Sequence, residues 1–175
     1  MRASLPLDDW RITLWREVST HLKSIPKWKD YLKGHNHSFS VHLAVFQAPY
    51  LDYILEGKKT VESRFSTVLC PPHGRVEKGD IILLKDSGGP VVGVCKVDRV
   101  WFYEIDADTL HELRKSFAEV LCAQDPQFWI DRSNTRYASL MKVSEPTSIP
   151  PTACKKRDRR GWVILEDHKQ TELAF

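Results

Sequence analysis

From residue 41 onward the chain changes texture, and that change restricts its possible folds most sharply. Apolar residues stop recurring at helical spacing and come in short β-rich runs: 41–46, 59–66, 80–85, 90–100, 137–143 and 161–166. Turn-forming residues bound these runs, and Asp86-Ser87-Gly88-Gly89 joins two of them as a hairpin. Helical periodicity returns only in inserts. Pro49 stands near the first position of a short helix that Gly57 ends. Leu110, Leu113, Phe117, Val120 and Leu121 mark a helix over 107–122, with Thr109 and Glu112 as a capping box. Asp125-Pro126 opens another helix, and a Pro-rich, then basic, loop is expected over 145–160. The alternation predicts an α+β domain, a small mixed β-barrel with inserted short helices.

Residues 1–40 read differently, as an N-terminal helical extension packing on a barrel domain of residues 41–175. Trp10, Leu14, Trp15, Val18, Leu22 and Ile25 recur at helical spacing over 9–24, and Pro26 stops or kinks that helix. A shorter helix follows through Trp28 and Leu32 to Gly34. Tryptophans on one stripe need a surface to cover; docking on the protein's own sheet is expected, with a partner-binding helix as the alternative. His35-Asn36-His37-Ser38 reads as a solvated turn, since no Cys or carboxylate stands at ligand spacing beside it.

Composition narrows the partners. The chain of 175 residues carries 26 Lys and Arg against 23 Asp and Glu, a net charge of +3. The segment Lys155-Lys156-Arg157-Asp158-Arg159-Arg160 holds five cations and one anion, net +4, which leaves −1 for the remainder. A uniformly cationic coat is excluded, and one basic patch is not. No apolar run approaches the roughly 18 residues that cross a bilayer, and no apolar h-region suggests a secretory leader. Cys70, Cys95, Cys122 and Cys154 include no C-x-x-C pair, so reduced thiols and a cytoplasmic location are expected.

The most informative stretch is the run 59–66. Side chains alternate along a strand, so Val61 and Phe65 share one face while Thr60, Glu62, Arg64 and Ser66 share the other. A whole face of hydrogen-bonding groups predicts a strand lining a polar cleft, with Lys59 at its start leaning over the same cleft. A solvated outer face with a Glu62–Arg64 ion pair is the plainer alternative, worth about 0–1 kcal/mol.

The arrangement Gly57-x-Lys59-x-x-Glu62-x-Arg64 after a short helix resembles the signature of the ASCH domain, a branch of the PUA-like β-barrel superfamily. Lys78-Gly79-Asp80-Ile81-Ile82-Leu83 resembles the Gly-Asp strand opening that follows in that family. Residues 91–100 and Gly161-Trp162-Val163-Ile164 resemble its next and closing strands, so the likeness spans about 41–166. The resemblance implies a small barrel whose cleft is lined by the motif residues and whose ligands are RNA, DNA or a nucleotide-like small molecule. It places the family lysine on Lys59, its acidic position on Glu62 and its arginine on Arg64. Some relatives resemble N4-acetylcytidine amidohydrolases and others are linked to RNA cleavage. In the amidohydrolases a threonine, the proposed nucleophile, stands where this chain has Glu62, so that activity does not transfer simply.

Three readings follow. The first is a nucleic-acid or nucleotide-binding module using Lys59, Thr60, Glu62, Arg64 and Ser66. Its phosphate contacts would come from Lys155, Lys156, Arg157, Arg159 and Arg160, with Arg136 and Tyr137 as a further basic-aromatic pair. The second is a metal-independent hydrolase, amidohydrolase-like or ribonuclease-like, centred on Lys59 and Glu62. In a dry cleft the lysine's pKa would fall and it would serve as a general base. The third is a protein-interaction module using the Trp-rich N-terminal helix. No cofactor or metal is expected: Cys70-Pro71-Pro72-His73 is half a zinc site at most, and P-loop, G-x-G-x-x-G, H-E-x-x-H and G-x-S-x-G motifs are missing. Trp101, Phe102 and Tyr103 are expected in the core, since consecutive strand residues cannot all face one site.

Overall fold

In the computed structural model, which describes residues 9–35 and 38–169, the β-rich runs form one six-stranded sheet. Its strands are β1 (Val41–Phe46), β2 (Val61–Ser66), β3 (Ile81–Asp86), β4 (Val91–Glu104), β5 (Tyr137–Thr152) and β6 (Trp162–Glu166). They lie in the order β2-β5-β4-β3-β1-β6, with β1 and β3 parallel and the other neighbouring pairs antiparallel. The central pair is covered on both faces. That is why Ile81-Ile82-Leu83-Leu84 lacks polar alternation: all four side chains are buried.

Residue parity assigns each strand side chain to a layer. Val41, Leu43, Ile81, Leu83 and Val163 face outward and are covered by Leu14, Val18, Leu22 and Trp28. Those four come from α1 (Trp10–Lys23), capped by the Asp9 carboxylate accepting from Arg11 N–H, and α2 (Pro26–Gly34). Trp28 Nε1 donates to Thr147 Oγ1 at 2.8 Å, and Trp10 and Trp15 pack against the same layer. On the inner face Ala44, Phe46, Ile82, Leu84, Cys95, Met141 and Trp162 form a second core with α3 (Tyr50–Leu55). A third core, around Val61, Leu113, Leu121, Trp129 and Leu140, seats α4 (Ala107–Phe117) and α5 (Pro126–Ile130) at the β2–β5 end.

The structure departs from the sequence expectations in four places. The α4 cap is Asp106, whose side chain accepts from Thr109 N–H at 2.7 Å, in place of a Thr109–Glu112 box. That helix ends at Phe117, and residues 118–122 continue as turns, with Cys122 at φ 54°. β5 continues to Thr152, so the prolines at 146, 150 and 151 lie in a strand and the loop is shorter than 145–160. Phe102 is 40% exposed, whereas Trp101 and Tyr103 pack into the third core. Of the polar turn at 35–38, Asn36 and His37 lie outside the described residues, as do 1–8 and 170–175 at the ends of the two expected domains.

Candidate functional site

The motif residues are placed by a helix end and a strand. After α3, Gly57 adopts φ 75°, a left-handed turn that costs glycine nothing, and the N–H groups of Lys58 and Lys59 both donate to Tyr53 O at 2.9 Å. That double anchor turns Lys59 inward before β2 begins. Its side chain is 3% exposed, and its Nζ donates to Leu121 O at 3.1 Å and lies 3.3 Å from Glu62 Oε2. Glu62 is itself 5% exposed, and its Oε1 is 2.9 Å from Arg64 Nε. That last contact is an ion pair without hydrogen-bond alignment, so the buried Arg64 Nε–H has no hydrogen-bond partner among the described residues. Burial is the main effect on Lys59 and pulls its pKa below the ordinary lysine value; the Glu62 carboxylate offsets part of this.

Arg64 also spans a seam. β2 and β6 are the two edges of the sheet, and the edges carry unpaired backbone groups. From β2, Arg64 Nη1 donates to Gly161 O at 3.2 Å, just before β6, and Nη2 donates to Val45 O at 3.0 Å. Its guanidinium lies 4.9 Å from the Phe46 ring centroid and 5.4 Å from that of Trp162. Trp162 is held from behind. Its Nε1 donates to His42 Nδ1 at 3.1 Å, which leaves the ring proton on Nε2 to bond Asp80 Oδ2 at 2.9 Å. The backbone N–H groups of Ser40 and Glu77, each 2.8 Å away, fix that buried carboxylate. The aspartate of the Gly79-Asp80 strand opening is therefore a support for the seam, two side chains removed from it.

Where the edges fail to meet, a cavity of about 670 Å³ opens, within the usual range for small-molecule sites. Lys59, Glu62 and Arg64 line one side, with Phe46, Tyr50, Phe65 and Phe128 as aromatic walls. Arg132 and Arg159 add cations and Asp131 a second carboxylate, so four cations face two anions, net +2. The Arg132 guanidinium lies 3.5 Å from the Phe128 ring centroid, and its Nη1 donates to Phe128 O at 2.7 Å. Burial draws its pKa down from the usual arginine value, which still leaves it charged near neutrality.

The other sequence-predicted residues divide. Thr60 is exposed and does not line the cavity. The Ser66 hydroxyl donates to Val68 O at 2.7 Å and, with Tyr137, lines a neighbouring recess. Arg136 is exposed at the start of β5, where its backbone bridges Ser66 and Ile105. Within the basic run, Arg159 reaches the cavity. Lys156 and Arg160 flank Asp158 at 2.9 and 3.0 Å and hold its carboxyl well below the usual range, while Lys155 and Arg157 are exposed. Tyr50, Phe128 and Arg132 were not singled out from sequence. Arg132 did carry a readable signal, since it stands four residues after Phe128 across a helix end, the spacing that lays one side chain over another. Among the described residues no helix is long and apolar enough to cross a membrane, and no group of three or more His, Cys, Asp or Glu is placed to hold a metal ion.

No family model matches the chain, and no curated protein matches its sequence. Solved structures match its architecture. The ASCH protein of Zymomonas mobilis superposes with a TM-score of 0.58 at 14% identity, covering 76% of this chain and 92% of that one. Two point mutants of the same protein each give a TM-score of 0.57 at 14% identity, covering 76% of this chain and 95% and 93% of theirs. The likeness is one of fold, and it agrees with the mixed six-stranded sheet and its short helices. The chain has the α+β fold seen in the ASCH structure of Zymomonas mobilis.

Proposed function

We propose that the chain is a nucleic-acid-binding module whose seam cavity receives a nucleotide, with the basic loop holding the adjoining phosphates. The observation that carries this reading is the convergence of Lys59, Glu62, Arg64, Arg132 and Arg159 on one aromatic-walled cavity of about 670 Å³. The net positive lining suits a phosphate-bearing ligand. The Arg132 guanidinium, which lies over the Phe128 ring and beside Phe65, offers a cationic plane on which a base can stack. The Glu62 carboxylate, which lines the cavity, supplies an acceptor for an amino group on a base edge. The motif resemblance, which implies RNA, DNA or nucleotide ligands, supports the same class. Isothermal titration with oligonucleotides and with the four nucleoside monophosphates tests the reading. Binding that weakens at least tenfold in Arg132→Ala is expected, and retention of full affinity in both Arg132→Ala and Arg159→Ala would overturn it.

A second reading has one specific observation in its favour. Lys59 is almost fully buried, and burial lowers its pKa toward the range in which an amine accepts protons. On that reading Lys59 is the base of a hydrolase acting on an acylated nucleoside or on RNA, and Glu62 orients it. Incubation with N4-acetylcytidine and with labelled RNA separates the two readings. Turnover abolished in Lys59→Ala supports the hydrolase; turnover that survives the substitution removes it.

A further inference from the structure

The row of side chains that carries Arg64 continues past the first cavity. Arg64 stands opposite Ser139 on β5, and Ser139 stands opposite Phe102 on β4. Directly paired residues of neighbouring strands share a face, so the three form one line across the sheet. His73 lies against that line, with Nδ1 3.4 Å from Ser139 Oγ and its ring centroid 4.9 Å from Phe102 and 5.4 Å from Tyr137. His73, Tyr137, Ser139, Cys70 and Trp162 help enclose a second recess of about 210 Å³. Arg64, Phe65 and Gly161 line both spaces, so the two are neighbours across a thin partition.

We infer that the site takes a single strand of at least two nucleotides: one enters the seam cavity, and the base of its neighbour stacks in the second recess against His73 and Tyr137. The inference rests on the nucleotide reading above. The two rings His73 and Tyr137 carry the inference. Both line the recess, while Phe102, 40% exposed and outside the lining, packs against the His73 ring. An imidazole and a phenol with ring centroids 5.4 Å apart in the lining of one recess are a platform any base can use, because every base has a π-face. Stacking there requires an unpaired base, which a duplex does not offer without unstacking. The partition residue fits the same ligand, since Arg64 is common to both spaces and brings positive charge to the point where the linking phosphate must pass.

Titration of the full chain with the four nucleoside 5′-monophosphates and with homodinucleotides of the same bases, in ribose and deoxyribose forms, tests the inference. Dinucleotides should bind roughly five- to a hundredfold tighter than the matching monophosphates, the range that one aromatic stack provides. Tyr137→Ala should erase that margin, and Tyr137→Phe should keep it. Equal affinity for mono- and dinucleotides would sink the second recess and leave the first cavity's reading intact. A margin that persists in Tyr137→Ala would do the same. If neither length binds, the nucleotide reading itself fails and the inference falls with it.

Discussion

At the scale of single residues, Glu62 is the pivot, because it is the anion shared by two cations in a place with little water. Its two oxygens face Lys59 and Arg64 separately, and all three groups are buried or half-buried. Replacing one member of such a set is costly because the others stay behind uncompensated. Glu62→Gln leaves an ammonium and a guanidinium facing a neutral amide and should destabilise the fold by about 3–5 kcal/mol, read from urea denaturation. A loss under about 1 kcal/mol would mean that the pair behaves like an exposed one. Lys59 yields a second expectation through its titration. Burial lowers its folded pKa, whereas the unfolded chain keeps the ordinary value near 10.4. Between those two values the unfolded state holds more protons, so this residue makes stability rise with pH across that window. Below the folded pKa both states are protonated and the contribution is flat. Lys59→Met should therefore show a shallower rise than the parent in melts taken at pH values approaching the ordinary lysine pKa from below. Parallel curves would show that the lysine titrates as if it were in water.

At the scale of elements, the helices α1 and α2 close the outer face of the sheet, on the side away from the seam cavity. Leu14, Val18, Leu22 and Trp28 are each at most 2% exposed. At about 1.5–3 kcal/mol for each large apolar side chain, their burial is worth on the order of 6–12 kcal/mol, comparable to a whole domain's net stability. Removal of residues 1–35 should leave a chain that lacks a cooperative thermal transition. A folded, monodisperse truncation would return the tryptophan stripe to the partner-binding reading. The helix itself was legible from sequence because its period is local. The continuation of β5 was not, since three prolines read as loop. β2 pairs only with Tyr137–Lys142, so beyond that point β5 is bonded to β4 alone and a missing N–H can face outward without breaking a ladder. The site divides along the same line. Lys59, Glu62 and Arg64 were legible because strand alternation puts them together within one segment. Tyr50, Phe128 and His42 were not, because each meets the seam through a different element, and only the packed sheet brings those elements together.

For the whole molecule, the sheet is a barrel left open along one line, and charge is distributed to match. Among the described residues no backbone ladder joins the edges β2 and β6; the Arg64 side chain reaches from β2 to the carbonyls of Gly161 and Val45, so a group that lines the opening also spans it. The basic run precedes β6 and therefore ends at the same opening. Its net +4 sits in a chain otherwise near neutrality, which concentrates the attraction for a polyanion at the mouth. Not every cation in the run is available, since Asp158 already engages Lys156 and Arg160. The remaining three, Lys155, Arg157 and Arg159, are the ones expected to displace counterions from a bound strand. Affinity for single-stranded RNA should fall linearly on a log–log plot against salt, with a slope of about −0.7 for each phosphate neutralised. Changing Lys155, Arg157 and Arg159 together to Ala should reduce that slope by roughly 2. Changing Lys156 and Arg160 should reduce it by less, because those two charges are spent before the ligand arrives. A slope identical in all three proteins would detach the basic loop from the seam and leave the cavity to bind its ligand without help from the chain's most cationic segment.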